Sequence, residues 1–273
     1  MLGSAIIVFR ETLEAALVIG IIAAATRGLA TRARWLSLGI GAGLLGSLAV
    51  AALTEWIAGL AEGIGQELLN ALVLGAAALM LAWHNIWMAR HGAQLSRDAR
   101  QLGSDVSSGS REMSALAVVV ALCILREGAE TVLFLYGLLA GSEGGLANVV
   151  GGGALGLAAG VGAGYALYAG FLKIPARWFF AATSGLILVL AAAMASQMAR
   201  FLVQADLLPS LAAPLWDSSW LLSNGSVPGR FLHTLIGYEA SPLGIQVVFY
   251  VATLLLILSG MRAVRAPRPA LPV

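Results

Sequence analysis

Long apolar stretches, separated by short polar ones, run the length of the chain. They lie near residues 2–26, 35–54, 68–90, 114–140, 147–171, 177–200 and 243–262. Each has roughly the 18–20 residues that a helix needs to cross hydrocarbon. The pattern predicts an all-α polytopic membrane protein with seven transmembrane helices. The first stretch has no basic segment before it, and Arg10-Glu11 interrupts it, so it reads as a retained span rather than a secretory signal.

Two of the stretches carry charge at their centres. Arg10-Glu11-Thr12-Leu13-Glu14 and Arg126-Glu127-Gly128-Ala129-Glu130 both read R-E-x-x-E, with apolar residues such as Ile7, Val8, Val18, Val120 and Leu133 on either side. An ionisable side chain at the centre of a membrane helix costs about 2.5–3.5 kcal/mol. Six acting alone would cost roughly 15–20 kcal/mol. A penalty carried twice in one pattern points to function.

Loop charge sets the orientation. Arg27, Arg32 and Arg34 follow span one, Arg90, Arg97, Arg100 and Arg111 follow span three, and Lys173 and Arg177 border span six. Arg262, Arg265 and Arg268 close the chain, while the intervening loops hold Glu55, Glu62, Glu67 and Glu143. The positive-inside rule then predicts an N-out/C-in topology. The segment 201–242 becomes an outer loop, with four prolines and with Trp216 and Trp220 at the membrane interface. Asn224-Gly225-Ser226 matches a glycosylation sequon, a pattern too common to carry weight.

The spans also repeat. The two charged motifs are followed by two stripes with a small residue every fourth position: Gly39, Gly43, Ser47 and Ala51, then Gly152, Gly156, Gly160 and Gly164. Spans three and six end Met88-Ala89-Arg90 and Met198-Ala199-Arg200. The expected organisation is a single transmembrane domain over 1–273. It comprises repeat one at about 1–90, repeat two at about 113–200, the outer loop 201–242, and a seventh helix at 243–262. Three is an odd number of spans, so the two three-helix repeats are inverted, which puts a shared site near the midplane. Small residues let helix backbones approach closely, so spans two and five are expected to grip spans one and four.

Composition adds exclusions. Only 11% of residues are charged, against about 25% in soluble domains. The basic balance comes from loop arginines and implies no nucleic-acid partner. The lone Cys123 excludes an internal disulfide and a thiolate metal cluster. Cys123 reads as a small core residue, and Met80, Met194 and Met198 read as packing.

On a helix, residues three and four apart fall about 60° and 40° apart, so Arg10, Glu11 and Glu14 share one face, as do Arg126, Glu127 and Glu130. With every group ionised, the two arginines leave the four carboxylates with a net −2. Oxygen ligands of that charge suit a hard cation. Glu11, Glu14, Glu127 and Glu130 are therefore candidate metal ligands, and Arg10 and Arg126 compensate charge. The simplest structural alternative is two buried salt bridges, Arg10 with Glu14 and Arg126 with Glu130, which leaves Glu11 and Glu127 without a partner. A proton relay through the same carboxylates is a further reading. An intramembrane carboxylate-metal enzyme is another, but bundle di-iron sites use Glu-x-x-His and none is present. His84 and Asn85, among Trp83, Trp87 and Met88, read first as packed, hydrogen-bonded residues and second as path residues. Glu55, Glu62 and Glu67 read first as solvated loop charge and second as an outer mouth for cations.

The paired motifs in spans one and four resemble those of the oxidase-dependent iron permeases, the high-affinity iron permeases of fungi and the EfeU-type permeases of bacteria. Phe9–Ala15, Leu125–Glu130, Leu215-Trp216-Asp217-Ser218-Ser219 and Gly237-Tyr238-Glu239 carry the resemblance, which covers the whole chain. It implies iron import across a plasma membrane, a bacterial inner membrane, with the four motif glutamates handling iron. Iron is then the substrate, with no cofactor permanently bound. Extracytoplasmic oxidase, peroxidase or iron-binding proteins are the implied partners. Asp217 and Glu239 would stand in for the acidic run of the fungal outer loop. Oxygen ligands alone leave Mn2+ or Pb2+, or a proton-coupled carrier, as alternatives.

Overall fold

Helices account for every regular element among the described residues. The computed structural model describes residues 1–60, 65–141, 145–170 and 176–265, with side chains except at 58, 60, 90, 92, 93, 176–181, 230, 234, 235 and 265. The helices are α1 (Leu2–Ala25), α2 (Arg32–Leu60), α3 (Gln66–Ser107), α4 (Ser114–Gly141), α5 (Gly145–Tyr168), α6 (Ala176–Gln204), α7 (Val227–Ile236) and α8 (Gly244–Arg265). Five are long and apolar enough to cross a membrane, within α2, α3, α5, α6 and α8. α1 and α4 have the length as well, and each carries the three charges of one R-E-x-x-E run. Glu62, Glu143, Lys173 and Arg268 lie outside the described residues.

Two elements differ from the sequence expectation. α3 continues well past residue 90 to Ser107, for 42 residues, or about 63 Å at 1.5 Å per residue. Hydropathy drops at Arg90, but Leu95, Ala99, Leu102 and Val106 keep one apolar stripe, which packs against Ile22, Leu36 and Leu116. Ser107 Oγ donates to Ala25 O, 2.9 Å away, closing the end of α1. The segment 201–242 contains α7. Ser226 caps it by accepting from the Gly229 N–H at 3.0 Å, Pro228 lies in its first turn, and Gly237 ends it at φ 70°. Asn224 is part of this frame: its side chain donates to Glu239 and accepts from the Ala240 N–H.

The small-residue stripes make crossed contacts. α5 packs on α1 and α2 packs on α4, while α3 pairs with α6. A methyl group at Gly160 would lie 2.7 Å from Thr12 Cβ and 2.9 Å from Phe9 O. One at Gly43 would lie 2.6 Å from Ile124 Cβ and 2.8 Å from Ala121 O. At such distances only glycine lets the backbones meet. The same register recurs in both pairs: Gly39 meets Ala117 and Val120, as Gly152 meets Met1 and Ser4. Each motif helix is thus gripped by the small-residue helix of the other half of the chain.

Two apolar clusters complete the core. One joins Ile7, Leu74, Leu81, Phe134, Ile187, Met194 and Ile257. The other joins Val18, Ile22, Leu36, Ala99, Leu116, Val120 and Ile124. Along α1 the order is Ile7, then the charged run, then Val18 and Ile22. Along α4 it is Val120 and Ile124, then the charged run, then Phe134. The two helices therefore run antiparallel, and their charges share one layer between two apolar ones. Leu81 and Ala99 of α3 belong to opposite clusters, which puts His84 close to that layer.

Candidate functional site

The charged layer brings both motifs together. Arg10 and Glu11 are each 1% exposed and Glu14 is 3% exposed. Arg10 extends Nη1 to Glu11 Oε1 and Nη2 to Glu14 Oε1, each at 3.0 Å. A single guanidinium fork therefore serves both carboxylates of its run. The expectation that a salt bridge to Glu14 leaves Glu11 alone is corrected here, because the fork offers several donors rather than one. On α4, Arg126 Nε lies 3.2 Å from Glu130 Oε1 and 3.9 Å from Glu127 Oε1.

The two runs share a helical geometry but differ in environment. Arg126 is 35% exposed where Arg10 is buried. Its guanidinium carbon lies 4.2 Å from the centre of the Trp87 ring, close enough for a cation–π contact.

His84 stands between the runs. Its Nδ1 is in direct contact with Glu130 Oε2. Its Nε2 lies 3.7 Å from Glu14 Oε1 and 3.9 Å from Glu11 Oε2. Its sequence neighbours alone favour packing. The signal that could have promoted it was the one that flagged the glutamates: an ionisable group in an apolar span, facing the bundle interior. The neighbouring Asn85 does have the expected hydrogen bond, donating to Ser184 O of α6 at 3.0 Å.

Two sets of residues each offer donor atoms that lie, within the set, no more than 4.8 Å apart: Glu11, Glu14 and His84, and Glu11, Glu127 and Glu130. Glu11 belongs to both. Among the described residues, Glu11 Oε2, Glu14 Oε2 and Glu127 Oε2 have no hydrogen-bond partner. Buried carboxylate oxygens are ordinarily satisfied. Carboxylate oxygens left open in a buried layer are electron-rich groups of the kind a cation satisfies.

The remaining candidates lie apart from this pocket. Glu239 contacts Asn224, and is 3.8 Å from both Arg200 Nη1 and His233 Nδ1, in the frame around α7. Asp217 is exposed and accepts from the Ser219 N–H at 2.9 Å and from Ser241 Oγ at 3.2 Å. Hydrogen bonding from Ser219, helped by Ser241, holds its carboxyl below the ordinary aspartate range. Glu55 and Glu67 are exposed near the end of α2 and the start of α3. Glu62 falls outside the described residues.

Comparison with known proteins points one way. The model of the iron permease FTR1 family matches residues 1–265. The ferrous iron permease EfeU of Escherichia coli O6:H1 is 32% identical over 246 residues, covering 87% of this chain and 86% of that protein. The ferrous iron permease EfeU of Yersinia pestis is 30% identical over 250 residues, covering 90% of this chain and 87% of that one. No solved structure matches.

Proposed function

The chain belongs to the iron permease FTR1 family, and from that premise we propose that it imports iron across a plasma membrane through a site formed by Glu11, Glu14, Glu127 and Glu130. The chain is a multi-pass membrane protein and a transporter rather than an enzyme. The finer reading is a single seven-span domain, with α1 to α6 and α8 crossing the bilayer, N-out and C-in. The antiparallel course of α1 and α4 and the matched glycine register support two inverted three-helix repeats. Because the positive-inside rule favours arginine on the cytoplasmic side, the segment holding α7 faces outward, toward any extracytoplasmic iron-binding or redox partner. In a bacterium the membrane would be the inner one.

The observation that carries the site is its unbalanced charge. The four glutamates converge from α1 and α4 on two arginines, with Glu11 Oε2, Glu14 Oε2 and Glu127 Oε2 among the carboxylate oxygens left without a hydrogen bond. Both arginines are held by the motif itself, so the surplus negative charge is left for a substrate cation. Apolar layers on both sides exclude water and strengthen that attraction. Ferrous iron is the favoured substrate, in line with the relatives' names.

Uptake into proteoliposomes tests this, with Fe2+, Fe3+, Mn2+ and Zn2+ compared with and without a pH gradient. Iron uptake should exceed that of the other metals, and Glu11→Gln and Glu127→Gln should each bring it to background while the protein stays inserted. Full iron uptake by both variants would overturn the assignment.

A further inference from the structure

Resting on that reading of the carboxylates, we propose that His84 is itself a metal ligand, with Nε2 joining Glu11 and Glu14 around a divalent transition-metal ion. This single nitrogen favours such ions over the alkaline-earth cations that an all-oxygen site would accept.

The ring is held as a ligand would be. Glu130 takes Nδ1 with one oxygen, while its other oxygen is 3.2 Å from Arg126, which rests on Trp87. Trp87, Arg126, Glu130 and His84 form one continuous chain of contacts. With Nδ1–H donated to Glu130, the lone pair of Nε2 is free. A carboxylate on the far nitrogen is how metal-binding histidines are commonly oriented, and it raises the basicity of the near one. His84 is 3% exposed, and Nε2 faces the carboxylates of Glu14 and Glu11 at 3.7 and 3.9 Å, beyond hydrogen-bond reach. A histidine present only for packing would ordinarily have both ring nitrogens satisfied.

The distances fit coordination. Two ligands about 2.1 Å from one metal lie roughly 3.0–3.4 Å apart. The gaps from Nε2 to Glu14 and Glu11 are 3.7 and 3.9 Å, so side-chain shifts of about half an ångström or less close them. The other half of the chain supplies no second nitrogen. The residue that matches His84, as Met198 matches Met88, is Met194, which is buried in the apolar cluster with Phe134. Carboxylates alone suit Mg2+, Ca2+ and Mn2+, whereas imidazole suits iron and zinc.

The test is pulsed electron paramagnetic resonance of Mn2+ bound to the purified full-length chain, which reads nitrogen coupling directly. The wild type should show imidazole nitrogen modulation, and His84→Gln should lose it while still binding Mn2+. In competition, the preference for Zn2+ over Ca2+ should fall about tenfold or more in His84→Gln. If Mn2+ binding is lost outright in a variant with wild-type thermal stability, that also supports ligation. Nitrogen modulation that persists in His84→Gln, its absence in the wild type, or an unchanged Zn2+/Ca2+ ratio would overturn the proposal. Failure here is separable from failure of the iron path. Loss of uptake in Glu11→Gln without nitrogen coupling in the wild type leaves the path and removes His84. Nitrogen coupling together with full uptake by Glu11→Gln and Glu127→Gln does the reverse.

Discussion

Arg10 and Arg126 occupy the same position in the same motif, yet replacing each with alanine should have unequal consequences. Arg10 is 1% exposed and holds two buried carboxylates at 3.0 Å. Removing it leaves Glu11 and Glu14 without their cation in a layer closed by apolar side chains. Breaking a buried pair in this way costs about 3–5 kcal/mol, because an uncompensated charge is left behind. Arg126 is 35% exposed and 3.2 Å from Glu130. A pair that accessible contributes about 0.2–1 kcal/mol, and the contact with Trp87 adds about 0.5–1 kcal/mol. Arg126→Ala should therefore cost about 1–2 kcal/mol. The difference of roughly 1–4 kcal/mol, centred near 2.5, corresponds to between about fivefold and several hundredfold in the unfolding equilibrium. Titrating the purified protein in mixed micelles with denaturing detergent, followed by helix content, measures both. The double variant Arg10→Ala/Glu14→Ala should recover part of the loss, since it removes one stranded carboxylate. Equal destabilisation by the two single variants, or a larger effect at Arg126, would refute the reasoning from burial.

The glycine stripes are equally testable. Gly160→Leu should destabilise by about 1–3 kcal/mol through overpacking against Thr12 and Phe9, whereas Gly162→Ala, with nothing within 4 Å, should be neutral or stabilise by about 0.5–1 kcal/mol; detergent melting curves compare them, and equal losses would argue against the packing. Gly128→Thr should clash with Ser47, and Ser47→Gly should rescue it by recreating the Thr12–Gly160 arrangement. A double-mutant cycle should give a coupling of about 1–2 kcal/mol, and strict additivity would count against the contact.

What was legible in the sequence was what local energetics decides. The length of an apolar run and the anomaly of a charge inside it need no tertiary information, so the charged helices and the four glutamates stood out. The small-residue stripes were visible as well, but their partners were not. Gly156 has the same local sequence whether it packs on α1 or on α4, and only the folded chain shows that it meets Ala5 and Phe9. Hydropathy alone ends α3 near Arg90, where its mean falls, although Leu95, Ala99 and Leu102 keep helical spacing beyond it. Hydropathy gives α7 no signal either, despite the cap at Ser226 and the stop at Gly237. His84 reads as packing in the sequence because its significance lies in Glu11, Glu14 and Glu130, none of which is near it in the chain.

The packing also explains why the motif tolerates such different residues at its first variable position. In α1 that residue is Thr12 and its neighbour across the helix pair is Gly160; in α4 it is Gly128 and its neighbour is Ser47. The bulk is exchanged between partners, so both backbones approach closely in either case. The variable position faces the gripping helix, while Arg, Glu and Glu face the shared layer. A helix that gathers three ionisable groups on one face has little apolar surface there to hold it against its neighbours. The opposite face must do so, and without water to drive helices together in a bilayer, close backbone contact is the available means. The stripes on α2 and α5 are therefore part of the site's construction: they fix the helices whose inner faces carry the charge. Each motif is fixed from the other half of the chain, which couples the two halves at the layer where Glu11, Glu127 and Glu130 meet.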